Sequence, residues 1–184
     1  MRIVAGRNRG RILATPEDRN VRPSSDRLRE AVFSILGAGV PPLPQDARVL
    51  DVFAGTGAMG LEAFSRGAAD VVLIEKDKGA LRLIAENVER VRGQGACRVM
   101  AADATAPGRP PAGFAAELVF LDPPYGKGLC EAALAALDAG GWLAADVLVV
   151  AEHDGREEPA WPTGFAVRDR RHYGKGAVTF LVRA

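Results

Sequence analysis

The sequence predicts a doubly wound α/β fold, in which a seven-stranded, mostly parallel sheet ends in an antiparallel hairpin and an extension precedes the sheet. Two observations predict this fold. From Arg48 onward, short apolar runs alternate with amphipathic helical segments, which is typical of parallel strands covered by helices on both faces. The last two apolar runs have no helix between them and are joined by Gly174-Lys175-Gly176, which predicts an antiparallel pair.

The extension is predicted to begin with a β-hairpin. Two short runs, Arg2 to Ala5 and Arg11 to Ala14, flank the turn-prone stretch Gly6 to Gly10. Eight arginines and four acids lie between Met1 and Glu30, which predicts either a solvated basic face or a nucleic-acid contact. The candidates for phosphate contacts are Arg7, Arg9, Arg11, Arg22, Arg27 and Arg29.

A helix and a linker are predicted to follow the hairpin. Pro23-Ser24-Ser25-Asp26 supplies the helix start, and apolar residues then recur at helical spacing as far as Leu36. The segment from Gly39 to Gln45 contains three prolines and is predicted to be a linker. We therefore expect an extension, residues 1–45, and a main domain, residues 46–184.

The main domain is predicted to contain seven strands and three helices. The predicted strands are Arg48–Phe53, Val71–Glu75, Arg98–Ala102, Glu117–Asp122, Val147–Glu152, Phe165–Tyr173 and Ala177–Arg183. The predicted helices are Ala58–Arg66, Lys78–Arg92 and Leu129–Ala139.

Composition limits the class of protein. A chain of 184 residues, 48% of them hydrophobic, can bury one core and is short for two full domains. No apolar run has the length needed to cross a bilayer, and the basic N-terminus has no apolar segment behind it, so we expect a cytoplasmic protein without membrane contact. Cys97 and Cys130 fall in predicted core segments without metal-ligand spacing, which predicts reduced thiols and no metal site.

A glycine-rich loop marks the first candidate site. The stretch from Asp51 to Gly60 ends the first predicted strand, opens a helix and contains G-x-G-x-x-G. Such glycines let the backbone turn sharply and approach a ligand at the carboxyl end of the sheet. Glu75 ends the next strand, where its carboxylate could accept from ribose hydroxyls. The pattern suits NAD as well as S-adenosylmethionine, and a purely structural turn is the alternative.

Two aspartates favour the second ligand. A phosphate requires a helix N-terminus free of anions, whereas S-adenosylmethionine carries an ammonium, a sulfonium and no phosphate. Asp51 beside the loop therefore fits the cationic ligand better. Asp103 follows the third strand and could accept from an adenine amino group, although a lone aspartate there is more often a cap or turn residue.

The stretch FLDPPYGKG, Phe120 to Gly128, is the second candidate site. The prolines end a buried strand and stiffen the chain beyond it. In the predicted topology this segment lies beside the glycine loop, so Asp122 and Tyr125 face the same crevice. Tyr125 can stack on a flat base, which is worth about 1–3 kcal/mol. Asp122 and the Pro123 carbonyl can accept hydrogen bonds from an exocyclic NH2 group. Holding that group in attack geometry can lower the activation barrier by up to about 7–11 kcal/mol.

These motifs resemble those of a known family. DPPY (Asp122–Tyr125) is similar to the [D/N/S]-PP-[Y/F/W] motif of S-adenosylmethionine-dependent amino methyltransferases, which act on adenine N6, guanine N2, cytosine N4 or glutamine amides. The sequence resembles one family more specifically, the RsmD family. Members of that family methylate N2 of one guanine in bacterial 16S ribosomal RNA. The stretches that carry this resemblance are MRIVAGRNRGR, RPSSDRLREAVFSIL (Arg22–Leu36), DVFAGTGAMGLEAFSRGA (Asp51–Ala68) and IEKD (Ile74–Asp77).

The resemblance implies a Rossmann-like class I methyltransferase. It implies that S-adenosylmethionine is held by Asp51, Ala54, Gly55, Thr56, Gly57, Glu75, Lys76, Asp103 and Ala104. The target amine would lie against Asp122, Pro123, Pro124 and Tyr125, and the extension against RNA. The implied partner is 16S rRNA, within a small-subunit assembly particle, and we expect a monomer. A DNA adenine-N6 methyltransferase and a non-catalytic RNA-binding assembly factor remain alternatives. Residues 108–116 and 154–164 match no family motif.

Overall fold

The computed structural model describes residues 1–16, 26–39 and 43–184, and seven strands and four helices lie within them. The helices are α1 (Asp26–Gly37), α2 (Ala58–Ser65), α3 (Lys78–Arg90) and α4 (Leu129–Ala139). The strands are β1 (Arg48–Val52), β2 (Asp70–Glu75), β3 (Cys97–Ala101), β4 (Ala116–Leu121), β5 (Leu143–Asp154), β6 (Phe165–Tyr173) and β7 (Gly176–Arg183).

All seven strands form one sheet in the order β3-β2-β1-β4-β5-β7-β6. The first five in chain order pair in parallel, whereas β7 is antiparallel to both β5 and β6. The predicted α/β fold with a terminal antiparallel hairpin is thus confirmed. The fifth strand begins earlier than predicted, at Leu143 instead of Val147, because Leu143 pairs with Ala116 ahead of a register shift between β4 and β5.

Both faces of the sheet are buried because successive residues of each strand point to opposite faces. Val49 of β1 packs into a core shared with α1, α2 and α3, while its neighbour Leu50 packs into a second core with α4 and Trp142. The first core includes a tilted pair of rings, Phe33 of α1 and Phe120 of β4, with centroids 5.5 Å apart. A parallel sheet needs helices on both of its faces. Because both faces are covered, a ligand can reach the sheet only where the helices leave it accessible.

The N-terminal segment turns back on itself as predicted. The Ile3 N–H donates to the Arg11 carbonyl (2.9 Å), and the Gly10 N–H donates to the Ile3 carbonyl (2.9 Å). Regular strand pairing in this hairpin is limited to one antiparallel bridge, Arg2 with Ile12. The predicted helix start Pro23-Ser24-Ser25 lies outside the described residues, and α1 is described from Asp26.

Cys97 and Cys130 are free and buried. Over the parts of the chain that the structure describes, no helix is long and apolar enough to cross a membrane.

Candidate active site

The strand order reverses between β1 and β4, and the carboxyl ends of the central strands meet at this point. Val52 of β1 pairs with Ile74 of β2 and with Leu121 of β4, and Leu121 pairs in turn with Ala151 of β5. The residues that follow these partners are Phe53, Glu75, Asp122 and Glu152. Open α/β sheets bind ligands at such a reversal, outside the carboxyl ends of the strands.

A cleft of about 750 Å³ lies at this edge. Its size falls within the usual range for small-molecule sites. Most of the predicted site residues line it, namely Asp51, Ala54, Gly55, Thr56, Glu75, Lys76, Ala104, Asp122, Pro123, Pro124 and Tyr125. Gly57 and Asp103 do not line it. Among the described residues around the cleft, five are acidic and two are lysines.

The glycine loop connects β1 to α2 through left-handed backbone. Gly55 has φ 57° and Gly57 has φ 77°, values that residues other than glycine rarely adopt. The Gly55 N–H donates to Glu75 Oε2 (2.9 Å), which ties the loop to the end of β2. Gly57 is buried, and a Cβ there would lie 3.0 Å from the Leu73 side chain. Gly57 therefore shapes the loop from beneath and does not face the cleft.

Asp51 is the buried acid of the site. Its Oδ2 accepts from the Gly60 N–H (2.8 Å) in the first turn of α2. Burial raises the pKa of Asp51 to about 8, against the lowering effect of the Gly60 hydrogen bond, and the nearby Asp122 and Glu75 carboxylates raise it further. A cation bound in the cleft would stabilise the ionised form of the Asp51 carboxyl group and so lower its pKa.

Glu75 lines the cleft at the end of β2, and Asp103 follows β3, the strand beside β2. Glu75 Oε1 accepts from the N–H groups of Lys76 (2.8 Å) and Asp77 (2.9 Å), so its carboxylate is held by backbone on both oxygens. Lys76 Nζ donates to Asp103 Oδ2 (2.9 Å). That bond, together with two bonds from Thr105, holds the pKa of Asp103 well below its usual range. Asp103 therefore stays ionised, paired with Lys76, which lines the cleft.

The Asp-Pro-Pro-Tyr segment forms the opposite wall. It follows β4 directly, and all four of its residues line the cleft, as predicted from the strand order. The Tyr125 hydroxyl donates to Glu152 Oε1 at 2.6 Å. Sequence reasoning did not single out Glu152, although an acid near the carboxyl end of the strand beside β4 was a signal that could have found it.

The basic surface of the extension lies away from the cleft. Arg7, Arg9, Arg11 and, unpredicted, Arg90 of α3 line a shallow groove of about 530 Å³, which we call the arginine groove. Arg7 anchors it at the far end of α2: its Nη2 donates to the Phe64 carbonyl (2.9 Å) and its guanidinium lies 4.2 Å from the centroid of the Phe64 ring. The cleft is at the opposite end of α2, a helix of about 12 Å in length.

The expectation for Arg29 is wrong. Its side chain is fully buried, where it cannot contact a phosphate. Arg29 Nη2 donates to Asp26 Oδ1 (2.8 Å) and to the Arg2 carbonyl (2.6 Å), and its Nε lies 3.4 Å from Glu62 Oε2. Burial of Glu62 on α2 explains this arrangement, because a buried carboxylate needs a buried cation. Arg27 is exposed on α1, and Arg22 lies outside the described residues.

Comparison with known proteins identifies the family. A family model described as Conserved hypothetical protein 95 matches residues 1–182. Ribosomal RNA small subunit methyltransferase D of Escherichia coli is 38% identical over 160 residues, which are 84% of this chain and 75% of that protein. The chain belongs to the RsmD family.

Solved structures agree with this membership. The RsmD-family chain superposes on the structure of yhhF from Escherichia coli with a TM-score of 0.84 and 34% identity, over 100% of this chain and 97% of that one. A more distant neighbour is an RNA methyltransferase from Salinibacter ruber in complex with S-adenosyl-L-homocysteine. Its TM-score is 0.61 at 15% identity, over 88% of this chain and 94% of that one, and this likeness concerns the fold alone.

Proposed function

We propose that this RsmD-family protein transfers a methyl group from S-adenosylmethionine to the exocyclic N2 of a guanine in 16S ribosomal RNA. The observation that carries the proposal is that Asp122–Tyr125 and the glycine loop follow neighbouring strands and line one cleft, together with the acids Asp51 and Glu75. The name of the Escherichia coli relative supports the small-subunit RNA as the substrate.

The residues of the cleft fit the proposed cofactor. S-adenosylmethionine is a cation at its sulfonium and carries an ammonium group, and the described lining has five acids against two lysines. Asp51 would face the ammonium group and Glu75 the ribose hydroxyls. Asp103, which pairs with Lys76 and does not itself line the cleft, is retained as the candidate acceptor for the adenine amino group. Gly55 has open space where a Cβ would stand, apart from the Phe53 carbonyl at 3.9 Å, so a ligand can approach its backbone. When bound, the cofactor supplies an activated methyl group on sulfur.

The chain's own residues would orient the target amine. The lone pair of guanine N2 is delocalised into the ring, so acceptors that fix the N–H groups and stabilise the growing positive charge matter more than a strong base. Asp122 and the Pro123 carbonyl are the proposed acceptors, and Pro123 and Pro124 keep them rigid. Tyr125 would stack on the base. No covalent intermediate with the enzyme is required.

RNA binding is assigned to the extension, residues 1–45, and methyl transfer to residues 46–184. In the extension, Arg7, Arg9, Arg11 and Arg27 are exposed, and we retain them with Arg22 as candidate phosphate contacts. Phosphate contacts position RNA without specifying its sequence. The target guanine must be unpaired or flipped out to enter the cleft. We further propose that the substrate is an assembling small-subunit particle and that the enzyme acts as a monomer.

The proposal is tested by the location of the transferred methyl group. Purified protein is incubated with methyl-labelled S-adenosylmethionine and, in parallel, small-subunit particles, naked 16S RNA and DNA, and the nucleic acid is digested to nucleosides. We expect label in N2-methylguanosine from particles or RNA. Label in N6-methyladenine of DNA alone would replace our proposal with the DNA enzyme. RNA binding without label in any substrate would leave a non-catalytic assembly factor.

A further inference from the structure

The hydrogen bond between Tyr125 and Glu152 joins two neighbouring strand ends. Glu152 follows Ala151, the partner of Leu121, so it stands beside Asp122 at the edge of the sheet. The distance of 2.6 Å between the Tyr125 hydroxyl oxygen and Glu152 Oε1 is in the range of strong hydrogen bonds to carboxylates.

A third element leaves the space for this pair. Gly176, the first residue of β7, lies against Tyr125: a Cβ built on it would stand 3.0 Å from the hydroxyl oxygen and 3.7 Å from Glu152 Oε1. The backbone conformation of Gly176 is one that other residues can adopt, since its φ is not in the left-handed region. The contact with the tyrosine hydroxyl is therefore the closest one that a larger residue would meet at this position.

The Tyr125 ring needs such support because of the loop that carries it. Gly126 and Gly128 follow with φ values of 78° and 60°, so two of the three residues after Tyr125 are glycines in left-handed backbone and have no side chain that could pack on the ring. Functional groups on loops keep their geometry only when packing or hydrogen bonds from neighbouring residues hold them. Glu152, on a strand in the middle of the sheet, supplies a rigid acceptor.

We propose that Glu152 is a positioning residue that holds the Tyr125 ring in the orientation that receives the target base, and that Gly176 leaves the space in which the two side chains meet. This inference rests on the proposed function, because it takes the cleft as the base-binding site. Glu152 acts through the tyrosine hydroxyl and not on the reacting atoms.

The first test is a double-mutant cycle on methyl transfer. Glu152→Ala and Tyr125→Phe each remove one side of the same hydrogen bond, so each should lower kcat/KM by about tenfold to a hundredfold. The double variant should be no worse than either single variant. Glu152→Gln should keep most of the activity, because its amide oxygen still accepts. Asp146→Ala, an exposed acid near the start of the same strand, is the matched control and should leave kcat/KM unchanged.

The second test uses the space at Gly176. Gly176→Ala should lower kcat/KM in the protein with Tyr125, because the new methyl group displaces the hydroxyl. In the Tyr125→Phe background the oxygen is gone, so the same substitution should add no further loss. This second test can be carried out even if the variants of Glu152 do not fold.

A spectroscopic readout separates this inference from the proposed function. The chain has two tyrosines, so protein labelled with fluorotyrosine gives two fluorine resonances, and Tyr125→Phe assigns one of them. We expect the Tyr125 resonance to shift in Glu152→Ala and to stay in place in Asp146→Ala. If wild-type protein methylates no nucleic acid while these shifts occur, the proposed function fails and the pairing of the two side chains stands.

Three results would overturn the inference. Additive losses in the double variant would mean that Glu152 acts on the substrate independently of Tyr125. A Gln variant as poor as the Ala variant would mean that the negative charge, and not the acceptor, is required. An unchanged Tyr125 resonance in Glu152→Ala would mean that the hydrogen bond is absent in solution.

Discussion

Asp51 is the residue at which the electrostatics of the cleft are most strongly perturbed. A buried carboxyl group beside two other carboxylates is costly to ionise, and the raised pKa expresses that cost. A bound ammonium or sulfonium group reverses the balance. Binding of a cationic ligand below about pH 8 should therefore release a proton, because the ligand lowers the pKa of Asp51.

The same pKa makes the stability of the free protein depend on pH. Asp51 binds a proton more tightly in the folded state, with a pKa of about 8, than in the unfolded chain, with a pKa of 3.8. Its contribution to the free energy of unfolding is thus greatest below about pH 4, falls as the pH rises toward 8, and is constant above that.

Asp51→Asn should remove this dependence, because the amide oxygen still accepts from the Gly60 N–H and carries no charge. We expect the variant to match the wild type near pH 4 and to exceed it at pH 8 by on the order of 5 kcal/mol, while losing affinity for the cofactor. Urea denaturation from pH 4 to 8 measures the difference. Asp146→Asn, at an exposed acid, is the control, and an equal pH dependence in all three proteins would contradict the assigned pKa.

At the scale of elements, Glu62 fastens the N-terminal hairpin to α2. Its two oxygens accept from the Val4 N–H (2.8 Å) and the Ala5 N–H (3.0 Å). The same carboxylate pairs with Arg29 of α1 and with Arg66, whose Nε lies 2.8 Å from Glu62 Oε1. One buried acid therefore joins the hairpin, α1 and α2. These contacts fix the position of the N-terminal hairpin, which extends from the cleft to the arginine groove.

Glu62→Ala should be strongly destabilising, because it leaves the fully buried Arg29 without its partner on α2. We expect a loss of about 3–5 kcal/mol in the free energy of unfolding. Hydrogen exchange should show the amides of Val4 and Ala5 losing protection first. Glu86→Ala removes an exposed ion pair with Arg90 and should cost less than about 1 kcal/mol. Similar losses in the two variants would refute the role given to Glu62.

At the scale of the whole molecule, the cleft and the arginine groove lie at opposite ends of α2. An RNA that occupies both must extend along this face of the protein. Arg9→Ala and Arg11→Ala should each weaken RNA binding. The slope of log K against log salt should become shallower by about 0.7–0.9 for each phosphate that the variant no longer neutralises.

Arg109 provides the matched control for the groove. It is exposed next to Gly108, whose carbonyl accepts from the Trp142 indole N–H (2.9 Å) in the core on the other face of the sheet. Arg109→Ala should leave the salt dependence unchanged. The role of the groove fails if the three variants bind RNA alike.

The sequence predicted the sheet and the cleft because both follow from local rules. Alternation of apolar strands with helices gives the parallel order, and that order places the residues after Val52, Ile74 and Leu121 at one edge. The burial of Arg29 could not be predicted from the sequence, since no local pattern distinguishes a buried arginine from an exposed one. Only the packing of α1 on α2 brings it to Glu62.

The partners of Tyr125 escaped sequence reasoning for a similar reason. Its hydrogen bond depends on β5 for the acceptor and on β7 for the space, elements that lie 27 and 51 residues further along the chain. Arg90 likewise joins the arginine groove because α3 packs beside the hairpin. Contacts of this kind are set by tertiary structure and leave no periodic pattern in the sequence.

The most direct measurement of the central claim is single-turnover methyl transfer by Asp122→Ala, with labelled S-adenosylmethionine and small-subunit particles that accept label from the wild type. Binding of the cofactor and of the particle is measured on the same variant. We expect a rate about 100- to 1,000-fold below that of the wild type, with both affinities largely retained, because the role proposed for Asp122 is to orient the reacting amine. A transfer rate equal to that of the wild type would contradict it.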